Sequence, residues 1–346
     1  MEMDERKLRI LHAIIDDYIL TAMPVGSRTV SKKYNVGGLS SATIRNEMSD
    51  LEALGYLDQP HTSAGRVPSA KAYRLYVESL LNAAPKLPPG ESAKLRGQLS
   101  ARERQLHDLI ERAAHAVAEA TGYTTVVAGP ATREQRLRSI QIVPVSDHTA
   151  LLIIVTDAAV FKDTTIRTDE GTTAEQLFVV SRMLTDQLQG LTVGEIWPRL
   201  KGMQSCLREH ARVMYSLLEA MGRIERDSAD SREIAVGGGS NILQFPEYSD
   251  ANKARTFLNM LEAREKLRTL MTIGTEGVFT LRIGAETGIQ GMEDCAMITA
   301  SYTAAGEHPG AIGVIGPVRM RYGHVLSVLA FMTRYLSEAL FMSSEL

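Results

Sequence analysis

The sequence predicts a multidomain α+β protein, and three observations predict it. The chain has 346 residues, enough for two or three domains of roughly 100–200 residues each. Its first eighty residues place apolar side chains at helical spacing, interrupted by Gly and Pro. Beyond them, helical stretches mix with short β-branched runs at hairpin spacing, the pattern of helices packed on antiparallel sheet.

Composition narrows the function classes. Hydrophobic residues make up 44% and charged residues 23%, ordinary for a globular protein. No apolar run reaches the roughly 18 residues of a membrane span. The start, Met1 to Lys7, is charged and enters a helical pattern directly, so no secretory signal is expected. Cys206 and Cys295 are too few for a disulfide framework, and a reducing cytoplasm is the expected setting. A net charge of −3 excludes a polycation that coats nucleic acid, but it leaves room for a local basic face.

Asp4 is placed to cap a first helix running to about Leu20, with Leu8, Leu11, Ile15 and Tyr18 on its buried face. Pro24 and Gly26 end it. Ser27 is expected to cap a short second helix, Arg28 to Tyr34, anchored by Val30. Asn35 to Gly38 form a turn, and Ser40 is the candidate cap of a third helix, Ser41 to Leu54, closed by Gly55. Ile44, Met48 and Leu51 make that helix's core stripe. Ala42, Arg45, Asn46 and Ser49 make its outer face, which is small and polar. Small residues let a helix sink into a major groove about 12 Å wide, where Arg pairs with guanine and Asn with adenine at about 1–3 kcal/mol of discrimination each.

Tyr56 to Gln59 and Arg66 to Pro68 read as two strands around a polar loop, Pro60 to Gly65. A hairpin directly after such a helix is a wing. The first domain, residues 1–82, is therefore expected to be a winged helix-turn-helix. Base readout is assigned to Thr43, Arg45, Asn46 and Ser49. Backbone or wing contacts are assigned to Ser27, Arg28, Lys32, Lys33, Ser41, His61, Thr62, Ser63 and Arg66. Ser69 caps a fourth helix through Leu81, on which Lys71 and Arg74 either reach the DNA backbone or stay solvated. From Arg28 to Arg74, seven Lys or Arg stand against four Asp or Glu, an excess that suits a positioned domain.

These residues resemble a known family. The run Ile44-Arg45-Asn46-Glu47-Met48, then Leu51 to Leu57, then Pro60-His61-Thr62-Ser63-Ala64-Gly65-Arg66-Val67-Pro68 is similar to the heat-inducible transcription repressors of the HrcA type. Ala72 to Val77 continues the match. Further along, Gly238 to Leu243 with Pro246-Glu247-Tyr248, Ile283 to Glu286, and Ile315-Gly316-Pro317-Val318-Arg319-Met320 with Tyr322 resemble the family's later motifs. Ser69, Ala72, Thr287 and Arg321 depart from its usual residues.

The rest of the chain supplies the other elements. Pro85, Pro88, Pro89 and Gly90 read as a linker between the first domain and the remainder of the protein. One long helix is expected over Glu91–Ala120 and a strand over Tyr123–Ala128. A meander is expected over Leu137–Pro144, Ala150–Thr156 and Val160–Arg167. Helices come next at Thr173–Gln189 and Cys206–Arg226, with a charged boundary from Arg223 to Arg232. Ile234–Gln244 has strand character. Asp250 caps a helix carrying Leu258, Leu261 and Leu267. Strands at Val278–Ile283, Cys295–Tyr302 and Ala311–Ile315 precede a last helix, Tyr322–Leu340. The resemblance implies that residues 83–130 and 232–346 form a discontinuous GAF-like α+β domain, and that residues 131–231 are an inserted dimerisation domain.

No catalytic constellation is visible. Val236 to Ser240 lacks the Gly-Lys-Ser/Thr ending of a P-loop and reads as a tight turn or close backbone approach. His107 and His115 are eight apart on one helix and read as two solvated histidines rather than a metal site. No metal or cofactor is expected, and no enzyme activity. The expected function is a repressor that reads double-stranded DNA as a homodimer at an inverted repeat. The resemblance adds chaperone operons as targets, loss of activity on heating, and a GroEL-type chaperonin as partner. The competing readings are a ligand-sensing repressor with an effector in the GAF-like domain, and an enzyme carrying a DNA-binding domain.

Overall fold

The computed structural model describes residues 3–34, 38–61, 64–83, 86–99, 106–130, 135–156, 159–168, 171–203, 219, 222, 232–271, 279–304 and 308–343. The chain opens with α1 (Glu5–Thr21), α2 (Ser27–Lys33) and α3 (Ser41–Ala53). After these come a two-stranded hairpin, β1 (Leu57–Asp58) and β2 (Val67–Pro68), and α4 (Ala70–Asn82). Side chains of Asp4, Ser40 and Ser69 cap α1, α3 and α4, each accepting from a backbone N–H in the first turn. Ser27 does not cap α2. Gly26 occupies that position, and Ser27 is the helix's first residue, with its side chain buried. Ile10, Leu11, Ile14, Ile15, Val30, Ile44 and Leu51 close the core of this unit.

The central sheet has five antiparallel strands in the order β7-β3-β10-β9-β8: β3 (Thr124–Ala128), β7 (Ile234–Gly237), β8 (Phe279–Ile283), β9 (Cys295–Ala304) and β10 (His308–Pro317). Successive residues point to opposite faces, and both faces are covered. Val127, Ile298, Ile312 and Val314 join the core that includes α6 (Leu106–Thr121) and α11 (Tyr322–Ser343). Val126, Met297 and Ile315 face a second core formed with α9 (Ala251–Glu262) and α10 (Arg264–Leu270).

Strands β3 and β7 are sheet neighbours, with Ala128 opposite Ile234, so the chain between them leaves the sheet and returns. That excursion holds a separate antiparallel sheet, β4 (Leu137–Ser146), β5 (Thr149–Thr156) and β6 (Ala159–Arg167), together with α7 (Ala174–Leu188) and α8 (Val193–Met203). It has a core of its own, in which Ile140, Leu152 and Ile154 of the sheet meet Leu177, Val180, Leu184 and Leu188 of α7.

Several expectations are corrected. The helix expected over Glu91–Ala120 is a hairpin of α5 (Pro89–Leu99) and α6. Lys94 Nζ lies 2.8 Å from Glu119 Oε1. In one straight helix the two would be about 37 Å apart at 1.5 Å per residue. Pro89 and Gly90 belong to α5 rather than to a linker, and Pro85 lies outside the described residues. The first unit is also not set apart, because its core continues into that of α6 and α11. Helix α8 has no counterpart among the expected elements, since Pro198 inside it reads as a breaker. The Cys206–Arg226 helix and the charged boundary lie almost wholly outside the described residues.

Only Ile234–Gly237 of the expected Ile234–Gln244 strand is extended, and Gly239–Gln244 is a 3-10 turn. A Cβ on Gly237 would lie 2.2 Å from the Ala114 carbonyl oxygen, the close approach expected of this glycine run. The helix after Asp250 breaks at Ala263 into α9 and α10.

Candidate nucleic-acid interface

The outer face of α3 is built by its inner one. Ile44, Met48 and Leu51 are buried, and this turns Ala42, Arg45, Asn46 and Ser49 outward, all exposed. Ser49 Oγ donates to the Arg45 carbonyl at 3.2 Å. Thr43 sits differently. It lies two residues from Arg45, about 160° round the helix axis. It is half-buried, with its hydroxyl 2.9 Å from Ser40 Oγ.

The hairpin is held beside α3 through its own backbone. Leu57 faces Pro68 and Asp58 faces Val67. Val25, in the segment before α2, exchanges two backbone hydrogen bonds with Arg66, each 2.9 Å. The approach is so tight that a Cβ on Gly65 would lie 2.5 Å from the Val25 carbonyl oxygen. Lys71 Nζ donates to the Leu54 carbonyl at 2.9 Å and lies over the Tyr56 ring, so it closes the C-terminus of α3. Arg74 pairs with Glu286 of the body at 2.5 Å.

A cleft of about 470 Å³ opens between the start of α2, the outer face of α3 and the hairpin. Ser27, Arg28, Arg45, Ser49 and Arg66, all assigned to DNA contact from sequence, line it together with Gln59. Among the described residues, Arg28, Lys32 and Arg45 have no partner that neutralises their charge. Arg66 is different: its guanidinium lies 2.8 Å from Glu52 and is largely buried. Lys33 Nζ lies 2.5 Å from the buried carboxylate of Asp17, which raises the Lys33 pKa and also accepts from the Tyr34 hydroxyl. Ser41 is half-buried, His61 is exposed, and Thr62 and Ser63 lie outside the described residues.

One buried charge that joins α1 to α3 escaped the sequence reading. Lys7 of α1 is buried, with Nζ 2.9 Å from Glu47 and 3.2 Å from Asp50, both on α3, and 3.7 Å from Asp4. Its hydrogen bond to Glu47 is the main cause of a raised pKa. Arg6 adds a second contact to Glu47 at 3.3 Å. In the sequence, Glu47 and Asp50 look like ordinary solvated acids, and only the fold brings Lys7 to them. No helix among the described residues is long and apolar enough to cross a membrane.

Comparison with known proteins gives a consistent result. Residues 107–326 match the model of the HrcA protein C-terminal domain. The heat-inducible transcription repressor HrcA of Ruminiclostridium cellulolyticum is 39% identical over 342 residues, covering 98% of this chain and 97% of that protein. Its counterpart from Pelotomaculum thermopropionicum is 41% identical over 344 residues, with 98% and 97% covered. A crystal structure of a hypothetical protein at 2.2 Å resolution is 27% identical, covers 99% of this chain and all of its own, and aligns with a TM-score of 0.68. With relatives this similar along nearly its whole length, the chain belongs to the HrcA family of heat-inducible transcription repressors.

Proposed function

We propose that the protein represses heat-shock chaperone operons by binding an inverted-repeat operator as a homodimer. Residues 1–82 act as a winged helix-turn-helix, with α3 in the major groove and the β1–β2 hairpin as the wing. The observation that carries this reading is the cleft lined by Arg28 and Arg45, beside the exposed Asn46 and Ser49. Arg45 and Asn46 read base edges, and Arg28 and Lys32 hold phosphates.

Residues 131–231 serve as the dimerisation domain. The face of its sheet turned away from α7 carries Leu151, Ile153 and Val155 beside the exposed Val143, and Phe178 and Val179 of α7 are exposed as well. An apolar surface of this kind suits a second copy of the chain. Residues 83–130 and 232–346 form the GAF-like body. Between its sheet and α9 and α10 lie the buried Tyr248, Phe257, Met260, Met271 and Met297. Warming depopulates the folded, DNA-competent dimer, and a GroEL-type chaperonin restores it. The action is binding in the cytoplasm, and no catalytic step is assigned.

Footprinting on the DNA upstream of the protein's own gene, at two temperatures and with or without chaperonin, tests the reading. Protection of an inverted repeat that weakens on warming is expected. Arg45→Ala and Asn46→Ala should each relax preference at particular base pairs by about 1–3 kcal/mol. An equal loss on operator and random DNA would reject α3 as the reading element.

A further inference from the structure

Two family-like stretches of the sequence, Pro246-Glu247-Tyr248 and Ile315 to Met320, have no part in DNA contact, yet the fold brings them together against the DNA-reading unit. Arg319 comes just after β10, and Glu247 lies in the turn after β7. Arg319 Nε donates to Glu247 Oε1 at 2.5 Å and Nη2 to Oε2 at 3.2 Å, a two-pronged grip that fixes the guanidinium plane. Its remaining arm, Nη1, donates to the carbonyl oxygen of Ile19 at 3.1 Å. Ile19 lies in the last turn of α1, where carbonyls lack helical partners and a cation is favoured. The Arg319 side chain is only 12% exposed, so this contact is an interior one. Phe245 flanks the guanidinium and stacks on Tyr123, whose hydroxyl accepts from the Arg321 backbone N–H.

Helix α1 is the spine of the reading unit. It reaches α3 through Lys7 and α2 through Asp17. A grip on its C-terminus therefore sets the attitude of α3 relative to the body. Tyr73 against Tyr322, with ring centroids 5.5 Å apart, and Arg74 with Glu286 brace the same joint.

We infer that the Arg319–Glu247 pair is a latch that holds the DNA-reading unit at one angle on the body, so that the dimer accepts a single half-site spacing. The inference rests on the repressor reading above. Arg319 is a positioning residue and touches no DNA. A rigid dimer reads half-sites one helical turn, about 34–36 Å, apart, whereas loosely tethered units engage many spacings.

The test compares the full-length protein with Arg319→Gln and Glu247→Gln on three DNAs: the inverted repeat, the same repeat with half a helical turn inserted, and a single half-site. The unaltered protein should lose about tenfold or more in affinity on the insertion, and the variants about threefold or less, with half-site affinity within about twofold throughout. Variants that keep the full spacing preference would overturn the latch. So would loss of half-site binding and early melting in both variants, which would mark the pair as structural only. An unaltered protein indifferent to the inverted repeat would instead reject the repressor reading, and the latch with it.

Discussion

The ammonium of Lys7 lies 2.9 Å from Glu47, on the flank of α3 turned away from Arg45. The first helix thus holds α3 from behind. Lys7→Met should leave the buried Glu47 carboxylate with only the partial support of Arg6 and let α3 shift. Operator affinity should fall severalfold, with a lower melting temperature. Glu47→Gln added to Lys7→Met should recover part of both losses, because it removes the stranded charge. Additive losses in the double-mutant cycle would show that the two residues are not coupled.

Lys32 and Lys33 are neighbours with different expected behaviour. Lys32 is exposed and has no charge partner among the described residues, whereas Lys33 is committed to Asp17. Lys32→Ala should shallow the slope of log affinity against log salt by about one. Lys33→Ala should leave that slope nearly unchanged and lower the melting temperature instead, since it leaves the buried Asp17 carboxylate without its cation and with only the Tyr34 hydroxyl. Equal slope changes would return Lys33 to the phosphate contacts.

Gly65 is needed where the hairpin crosses Val25. Gly65→Ala forces a Cβ to within 2.5 Å of a backbone oxygen that cannot rotate away. A destabilisation of about 1–3 kcal/mol is expected, with weaker operator binding as the hairpin lifts. Chemical denaturation and gel-shift titration measure the two effects, and a variant of unchanged stability would contradict the docking.

His12 gives the first unit a pH dependence. It is half-buried against the edge of Tyr76, near Ser79, and burial lowers its pKa below 6.5 against the opposing pull of Asp16. The unfolded chain therefore binds the proton more readily. Stability is full above pH 6.5 and falls as pH drops from there through the lowered value. His12→Gln should flatten melting temperature against pH over this window. An unchanged slope would assign the acid sensitivity to other groups.

The elements of the first eighty residues were legible because their signals are local. Asp4, Ser40 and Ser69 mark helix starts, and the spacing of Ile44, Met48 and Leu51 turns Arg45, Asn46 and Ser49 outward. Thr43 lies on the flank of α3 away from Arg45, because nearness in sequence is not nearness around a helix. The Glu91–Ala120 expectation failed for a related reason: apolar periodicity runs through both α5 and α6, and their packing shows only in space, where Lys94 and Gln98 meet Glu119.

By itself the sequence determined which helices form in the first eighty residues, which face of α3 is polar, and that a hairpin comes after it, since capping, periodicity and turn chemistry act over a few residues. Tertiary structure alone decided which cations are available. Lys33, Arg66, Lys71 and Arg74 resemble Arg28, Lys32 and Arg45 in the chain, but folding delivers each of the first four to an oxygen acceptor. It also decided that Arg319 meets Ile19 across 300 residues of chain. Charge pairing depends on separation in space, and that separation is set by the packing of the cores rather than by any local pattern.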